Sequence, residues 1–133
     1  MTQNNLLTKT LFNACLDKKG VNPILLDLSE ISSYAEHVII VSGTSDRQVQ
    51  ALSDHILDMA KEKTSLYPVG VEGYETGLWV LIDFGYVVCH VFQEEVREEY
   101  HLEDIWPRVK PVGEEAFTSY FVKSNKKTAS ESV

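Results

Sequence analysis

Leu78-Trp79-Val80-Leu81-Ile82-Asp83, then Phe84-Gly85, then Tyr86-Val87-Val88-Cys89-His90-Val91-Phe92 read as a β-hairpin with a tight turn at Gly85. Side chains alternate across a strand, so each strand divides into two faces. One face carries Leu78, Val80, Ile82, Val87, Cys89 and Val91. It is wholly apolar and is predicted to lie beneath helices. The other carries Trp79, Leu81, Asp83, Val88 and His90 and is mixed. With a loop of two residues, Trp79 lies opposite His90 and Leu81 opposite Val88. A different loop length changes that pairing but not the alternation. Trp79 and Leu81 point away from the predicted core and form an apolar patch beside acidic residues, a protein-contact signature. The competing reading is a second core layer, covered by the C-terminal segment.

Upstream, Val49, Leu52, Ile56 and Met59 recur three and four residues apart, which predicts an amphipathic helix over 46–62. Ser45 with Gln48 makes a capping-box pattern at its start. His37 to Val41 is rich in β-branched residues and reads as a strand. Ile24 to Leu28 reads as a second, buried strand, started by Pro23. Between them, 29–36 is polar and reads as a turn or short helix. Residues 6–17 space Leu7, Leu11 and Ala14 as a first helix does, and Gly20 is its stop signal. Pro68 to Glu72 is a short extended piece ending at Gly73. Downstream, 93–104 holds six acidic residues and one Arg, and predicts a short helix ending before Pro107. The expected fold class is α+β, a mixed sheet of about five strands with helices packed on it.

The chain has 133 residues, which fits one domain with a real core. Residues 1–110 are expected to form it, with 111–133 a C-terminal extension. Phe117, Tyr120 and Phe121 are expected to dock before the tail loosens and its end becomes disordered. Apolar residues make up 44% and charged residues 24%, which excludes a mostly disordered chain. No apolar run approaches the ~20 residues that span a bilayer, and Met1 to Asn5 lacks the layout of a secretory signal. Cys15 and Cys89 stand far apart without metal-ligand spacing. Free thiols in a reducing cytoplasm are expected.

Net charge is −8, with 20 acidic residues against 12 basic. The only basic run, Lys123 to Lys127, lies in the tail, so the chain lacks the cation cluster that a sequence-specific nucleic-acid binder needs. An acidic surface suits a basic protein partner.

Three groupings invite a chemical reading. Gly43-Thr44-Ser45 before a helix resembles an anion-binding corner, but no P-loop Lys follows, and an ordinary N-cap is preferred. Asp83 and His90 share a face without a Ser or Cys nucleophile, so a turn-stabilising Asp and a His packed on Trp79 are expected instead. His37, His55, His90 and His101 show no metal spacing, and neither a metal nor a cofactor is expected. Glu94-Glu95-Arg97-Glu98-Glu99 reads as a solvated helix face, with Arg97 in an ion pair of small value.

Two longer strings carry a resemblance. The first is Asp27-Leu28-Ser29 followed by Val38-Ile39-Ile40-Val41-Ser42-Gly43-Thr44-Ser45-Asp46-Arg47-Gln48-Val49. The second is Glu72-Gly73, Trp79 to Asp83, Val87 to Phe92 and Arg97-Glu98-Glu99-Tyr100-His101-Leu102-Glu103-Asp104-Ile105-Trp106. In this order they resemble the Iojap-related ribosomal silencing factor family over about residues 6–107. The chain departs from the family's usual residues at Glu36, His37, Tyr86 and Cys89.

The resemblance implies a nucleotidyltransferase-like fold without that fold's chemistry. D-x-D or D-x-E carboxylate pairs are indeed missing from the early strands. It implies a translational repressor that binds the large ribosomal subunit through ribosomal protein L-fourteen, blocking small-subunit joining when nutrients fall, as in stationary phase. Relatives in organelles assist large-subunit assembly, and homodimers are implied too. By resemblance and face together, the expected partner contacts are Trp79, Leu81, Val88 and His90, with Arg97, Tyr100 and Glu103 as further candidates. For those last three the competing role is fixing the last helix to the sheet. An assembly factor using the same contact, and a nucleotidyltransferase-type enzyme built on the Gly43–Ser45 corner, remain as alternatives.

Overall fold

Thr2 starts the first helix, its hydroxyl accepting the Asn5 N–H at 3.1 Å. α1 (Gln3–Asp17) then buries Leu7, Leu11, Phe12, Ala14 and Cys15. It ends at Asp17, where the sequence places its end. Lys19 takes the left-handed conformation, and Gly20 N–H reaches back to the Cys15 carbonyl at 2.8 Å. Gly20 is needed for closeness, since a Cβ there would meet Val41 at 2.5 Å. The structure, a computed structural model, describes residues 2–31 and 35–121.

β1 (Val21–Asp27) pairs antiparallel with β2 (His37–Gly43). α2 (Asp46–Thr64) follows, then β3 (Gly70–Glu72), β4 (Trp79–Asp83) and β5 (Val87–Gln93). The sheet order is β1-β2-β5-β4-β3. β2 and β5 run parallel and the other pairs antiparallel, so the sheet is mixed and the class is α+β. β2 and β5 are the central strands, which is why both read as near-continuous apolar runs. α3 (Glu94–Tyr100) and a short 3₁₀ helix (Leu102–Ile105) complete the described elements, with 114–121 also helical.

Two apolar layers flank the sheet. α1 and α2 cover the face of Ile39, Val41, Val80, Ile82, Val87, Cys89 and Val91. This is the face that alternation predicts, except that Leu78, at the mouth of β4, is 46% exposed. The opposite face packs Ile24, Leu26, Leu28, Val38, Ile40 and Phe92 against Trp79, Val96, Leu102, Trp106 and Val109, so one side of Trp79 belongs to this layer. A second core layer therefore exists, and it is centred on β1, β2 and α3.

The hairpin register differs from the two-residue-loop pairing. Trp79 pairs with Phe92, Leu81 with His90 and Asp83 with Val88. The turn sits one residue later than expected: Phe84 N–H donates to the Val87 carbonyl at 2.9 Å, leaving Gly85 and Tyr86 at the tip, and Asp83 Oδ1 accepts the Gly85 N–H at 2.7 Å. Each strand keeps its faces, since the register moved by an even number of residues.

Past Pro111, Val112 and Leu25 exchange backbone hydrogen bonds, each at 2.8 Å. Phe117 stacks on Phe12 with centroids 3.9 Å apart, and Phe117 and Phe121 are buried. The expected loose end of the tail, and part of the 29–36 turn, lie outside the described residues.

Candidate functional site

Trp79 opens β4 on the face away from α1 and α2. Its indole stacks on Phe92, centroids 4.7 Å apart, and its Nε1–H donates to His90 Nδ1 at 3.0 Å. Cross-strand diagonal reach makes that bond, since His90 pairs directly with Leu81. Tyr100, at the end of α3, brings its ring to 5.1 Å from the indole and is 58% exposed. Trp79 and Leu81 are each half-buried. The result is an aromatic patch with its polar N–H already satisfied and apolar area open to water.

Carboxylates border it. Glu72 is the β3 partner of Leu81, Asp83 lies two residues along β4, and Glu95, Glu98 and Glu99 are exposed on α3 beside Tyr100. An apolar centre with a charged rim is the layout of a protein interface.

Val88 and His90 are buried, at 1% and 6% exposure, and so support this patch from within rather than forming its surface. Burial pushes His90 down to about 4, and the imidazole is neutral at physiological pH. Its Nδ1 accepts from Trp79, so the proton sits on Nε2. The unfolded chain's imidazole protonates near ~6.5, the folded one only near 4. The unfolded state therefore binds more protons in that window, and stability falls as pH drops through it. The expected loss is on the order of 2 kcal/mol, read by denaturant unfolding at stepped pH. His90→Gln, which keeps an acceptor for the indole, is expected to flatten part of the decline. His37, also held below its usual value, supplies another part.

Arg97 corrects the expectation of a surface ion pair. It is 7% exposed, and its guanidinium donates to the Asn22 carbonyl at 2.8 Å, the Val21 carbonyl at 3.3 Å and Ser42 Oγ at 3.0 Å. Among the described residues no Lys or Arg lies within 4.0 Å of a carboxylate; the one such contact is a hydrogen bond between His55 Nε2 and Asp17 Oδ2 at 3.0 Å. Burial lowers Arg97 from its usual value, while the Glu103 carboxylate opposes that. Arg97 and Glu103 line a cleft of about 300 Å³ at the start of β1, apart from the Trp79 patch. The bonds that Arg97 makes are those of a residue fixing α3 to the sheet.

In the Gly43–Ser45 corner both donors of Thr44 bond to Gln48 of the following helix. Ser45 Oγ accepts the Gln48 N–H at 3.1 Å, and Gln48 Oε1 accepts from Thr44 N–H at 2.6 Å and Thr44 Oγ–H at 2.8 Å. This is an N-cap shifted one residue from the usual box. Asp83 makes its turn bond rather than a bond to His90. Among the described residues no three His, Cys, Asp or Glu side chains cluster as a metal site, and no helix is long and apolar enough to cross a membrane.

Phe92 belongs to the patch and was missed, although its alternation with His90 places it on that face. Glu72 was missed because nothing in the sequence sets the β3–β4 register.

The family model described as "Ribosomal silencing factor during starvation" matches residues 2–132. Ribosomal silencing factor RsfS of Bacillus subtilis is 40% identical over 106 residues, 80% of this chain and 88% of the relative. The mouse protein named "Mitochondrial assembly of ribosomal large subunit protein 1" is 36% identical over 76 residues, 55% of this chain and 33% of its own length. A crystal structure of a Chromobacterium violaceum protein superposes with a TM-score of 0.75 at 38% identity, covering 83% of this chain and 91% of that one.

Proposed function

The chain belongs to the family of ribosomal silencing factors, and from that premise we propose that it represses translation by docking on the large ribosomal subunit. The contact is ribosomal protein L-fourteen, and the small subunit is kept out by occupied space. The free energy of docking competes with that of subunit association, so no turnover is involved. The half-buried Trp79 indole, stacked on Phe92 and next to an exposed Tyr100, is the observation that carries this reading. Large aromatics in that setting are the usual anchors of a protein interface. Trp79, Leu81 and Tyr100 form the contact; Val88 and His90 hold it in shape; Arg97 fixes the helix that brings Tyr100. The excess of carboxylates suits a basic ribosomal protein and speeds encounter. A homodimer using the same face would compete with the ribosome.

Capture from lysate with the full chain tests the partner. Recovery of large-subunit proteins, with L-fourteen as the cross-linked neighbour, is the expected result. Recovery of no large-subunit component overturns the proposal. A second reading, an assembly factor for the large subunit, draws on the name of the mouse relative. Subunit profiles of a deletion strain separate the two: a large-subunit deficit in rich growth favours assembly, and excess joined ribosomes in starvation favours repression.

A further inference from the structure

The sheet has two edges, and the chain closes one of them. β1 is bridged by Val112, which exchanges backbone hydrogen bonds with Leu25. β3 ends the sheet on the other side, with β4 along one flank and, among the described residues, no strand along the other. Gly70, Val71 and Glu72 are all exposed. Half of the large apolar residues exposed among the described residues, namely Tyr67, Val69, Val71 and Leu78, fall in this short stretch of chain. An open strand edge lined with apolar side chains is a template for another strand.

The two faces separate this edge from the Trp79 patch. Val71 pairs with Ile82, which lies beneath α1 and α2, so Val71 borders the helix side. By alternation Val69, 77% exposed, borders the same side. Glu72 pairs with Leu81 and borders the other. The edge is also held in place. Val69 N–H donates to the Asp83 carbonyl at 2.7 Å. The turn after β3 is tied to α2, with Gln50 Nε2 donating to the Tyr74 carbonyl at 2.9 Å and the Tyr74 hydroxyl to Asp54 Oδ2 at 3.0 Å. An edge fixed in this way needs little ordering to receive a strand.

Charge selects the occupant. From Ser65 to Cys89 the chain carries Glu72, Glu75 and Asp83 and no Lys, Arg or His. Lysine, a common guard of open edges, is absent from β3. A second copy would set these carboxylates against their own kind, with a net charge of −8 on each chain. A strand bearing Lys or Arg would meet the opposite sign.

We propose that the β3 edge docks an extended basic segment of another protein, which joins the sheet as a sixth strand. Its backbone groups pair with those of β3. Its side chains alternate: one set, apolar and β-branched, covers Val69 and Val71, and the other, Lys or Arg, meets Glu72. This surface is separate from the proposed ribosome contact, and its occupation does not depend on that reading.

Titration of the nitrogen-15-labelled full chain with a synthetic peptide of Val-Lys repeats tests this. Backbone shifts and slowed amide exchange are expected at 69–72, and a peptide of Val-Glu repeats is expected to bind about tenfold more weakly or worse. Val69→Lys with Val71→Lys places cations on exposed positions and is expected to weaken Val-Lys binding about tenfold at unchanged thermal stability. No response at 69–72, a response centred on the carboxylates of α3 instead, or equal binding of the Val-Glu peptide overturns the proposal. So does a folded double variant that binds like the wild type. Sedimentation of the chain alone covers the remaining occupant: a dimer that the double variant abolishes would make the edge a self-contact and overturn the proposal too.

Discussion

Trp79→Ala is expected to weaken binding to large ribosomal subunits by about 2 kcal/mol or more, roughly thirtyfold in affinity. The truncation removes the indole from between Phe92 and Tyr100 and leaves His90 Nδ1 without its donor. It acts on the open part of the patch, so the loss falls chiefly on dissociation. Rim substitutions such as Glu98→Gln are expected to act on association and its salt dependence instead. Co-sedimentation with purified large subunits measures the loss, with circular dichroism to establish that the variant is folded. Trp79→Phe preserves the stack on Phe92 and is expected to recover much of the binding. A folded Trp79→Ala chain that binds like the wild type removes Trp79 from the contact.

Arg97→Ala is expected to lower stability by about 3 to 4 kcal/mol. One buried guanidinium nitrogen serves the Val21 and Asn22 carbonyls and Ser42 Oγ, and no other described side chain replaces it. Those acceptors lie where β1 begins on a left-handed Asn22, so their loss frees the strand start as well as α3. Urea unfolding reads the effect as a lower midpoint at unchanged slope. Arg97→Lys keeps the charge but replaces the planar fork, and is expected to recover only part. A variant as stable as the wild type would contradict the fixing role. Ribosome binding lost without loss of stability would place Arg97 in the contact itself.

The contrast between Trp79 and Arg97 shows what a sequence reveals and what it hides. Alternation alone put Trp79 and Leu81 on one face and Val80 and Ile82 on the other, because the period of two is a local property of the chain. The helix over Asp46–Thr64 was legible for the same reason, its apolar residues repeating at helical spacing. Arg97 was misread because its neighbours in sequence are carboxylates, while its partners are the carbonyls of residues some 75 positions away. Burial of a charged residue depends on such distant acceptors, which no local pattern encodes. The hairpin pairing differed because the turn sits one residue later, with Gly85 N–H donating to Asp83 and Phe84 N–H to the Val87 carbonyl. His37 read as an ordinary strand residue, since its partner Tyr120 comes from the far end of the chain.

Subunit joining, followed by light scattering with purified large and small subunits, tests steric exclusion most directly. Large subunits saturated with the chain are expected to join poorly, with joining restored when Trp79→Ala replaces the wild type. Normal joining by large subunits that demonstrably carry the wild-type chain would contradict exclusion as its mode of action.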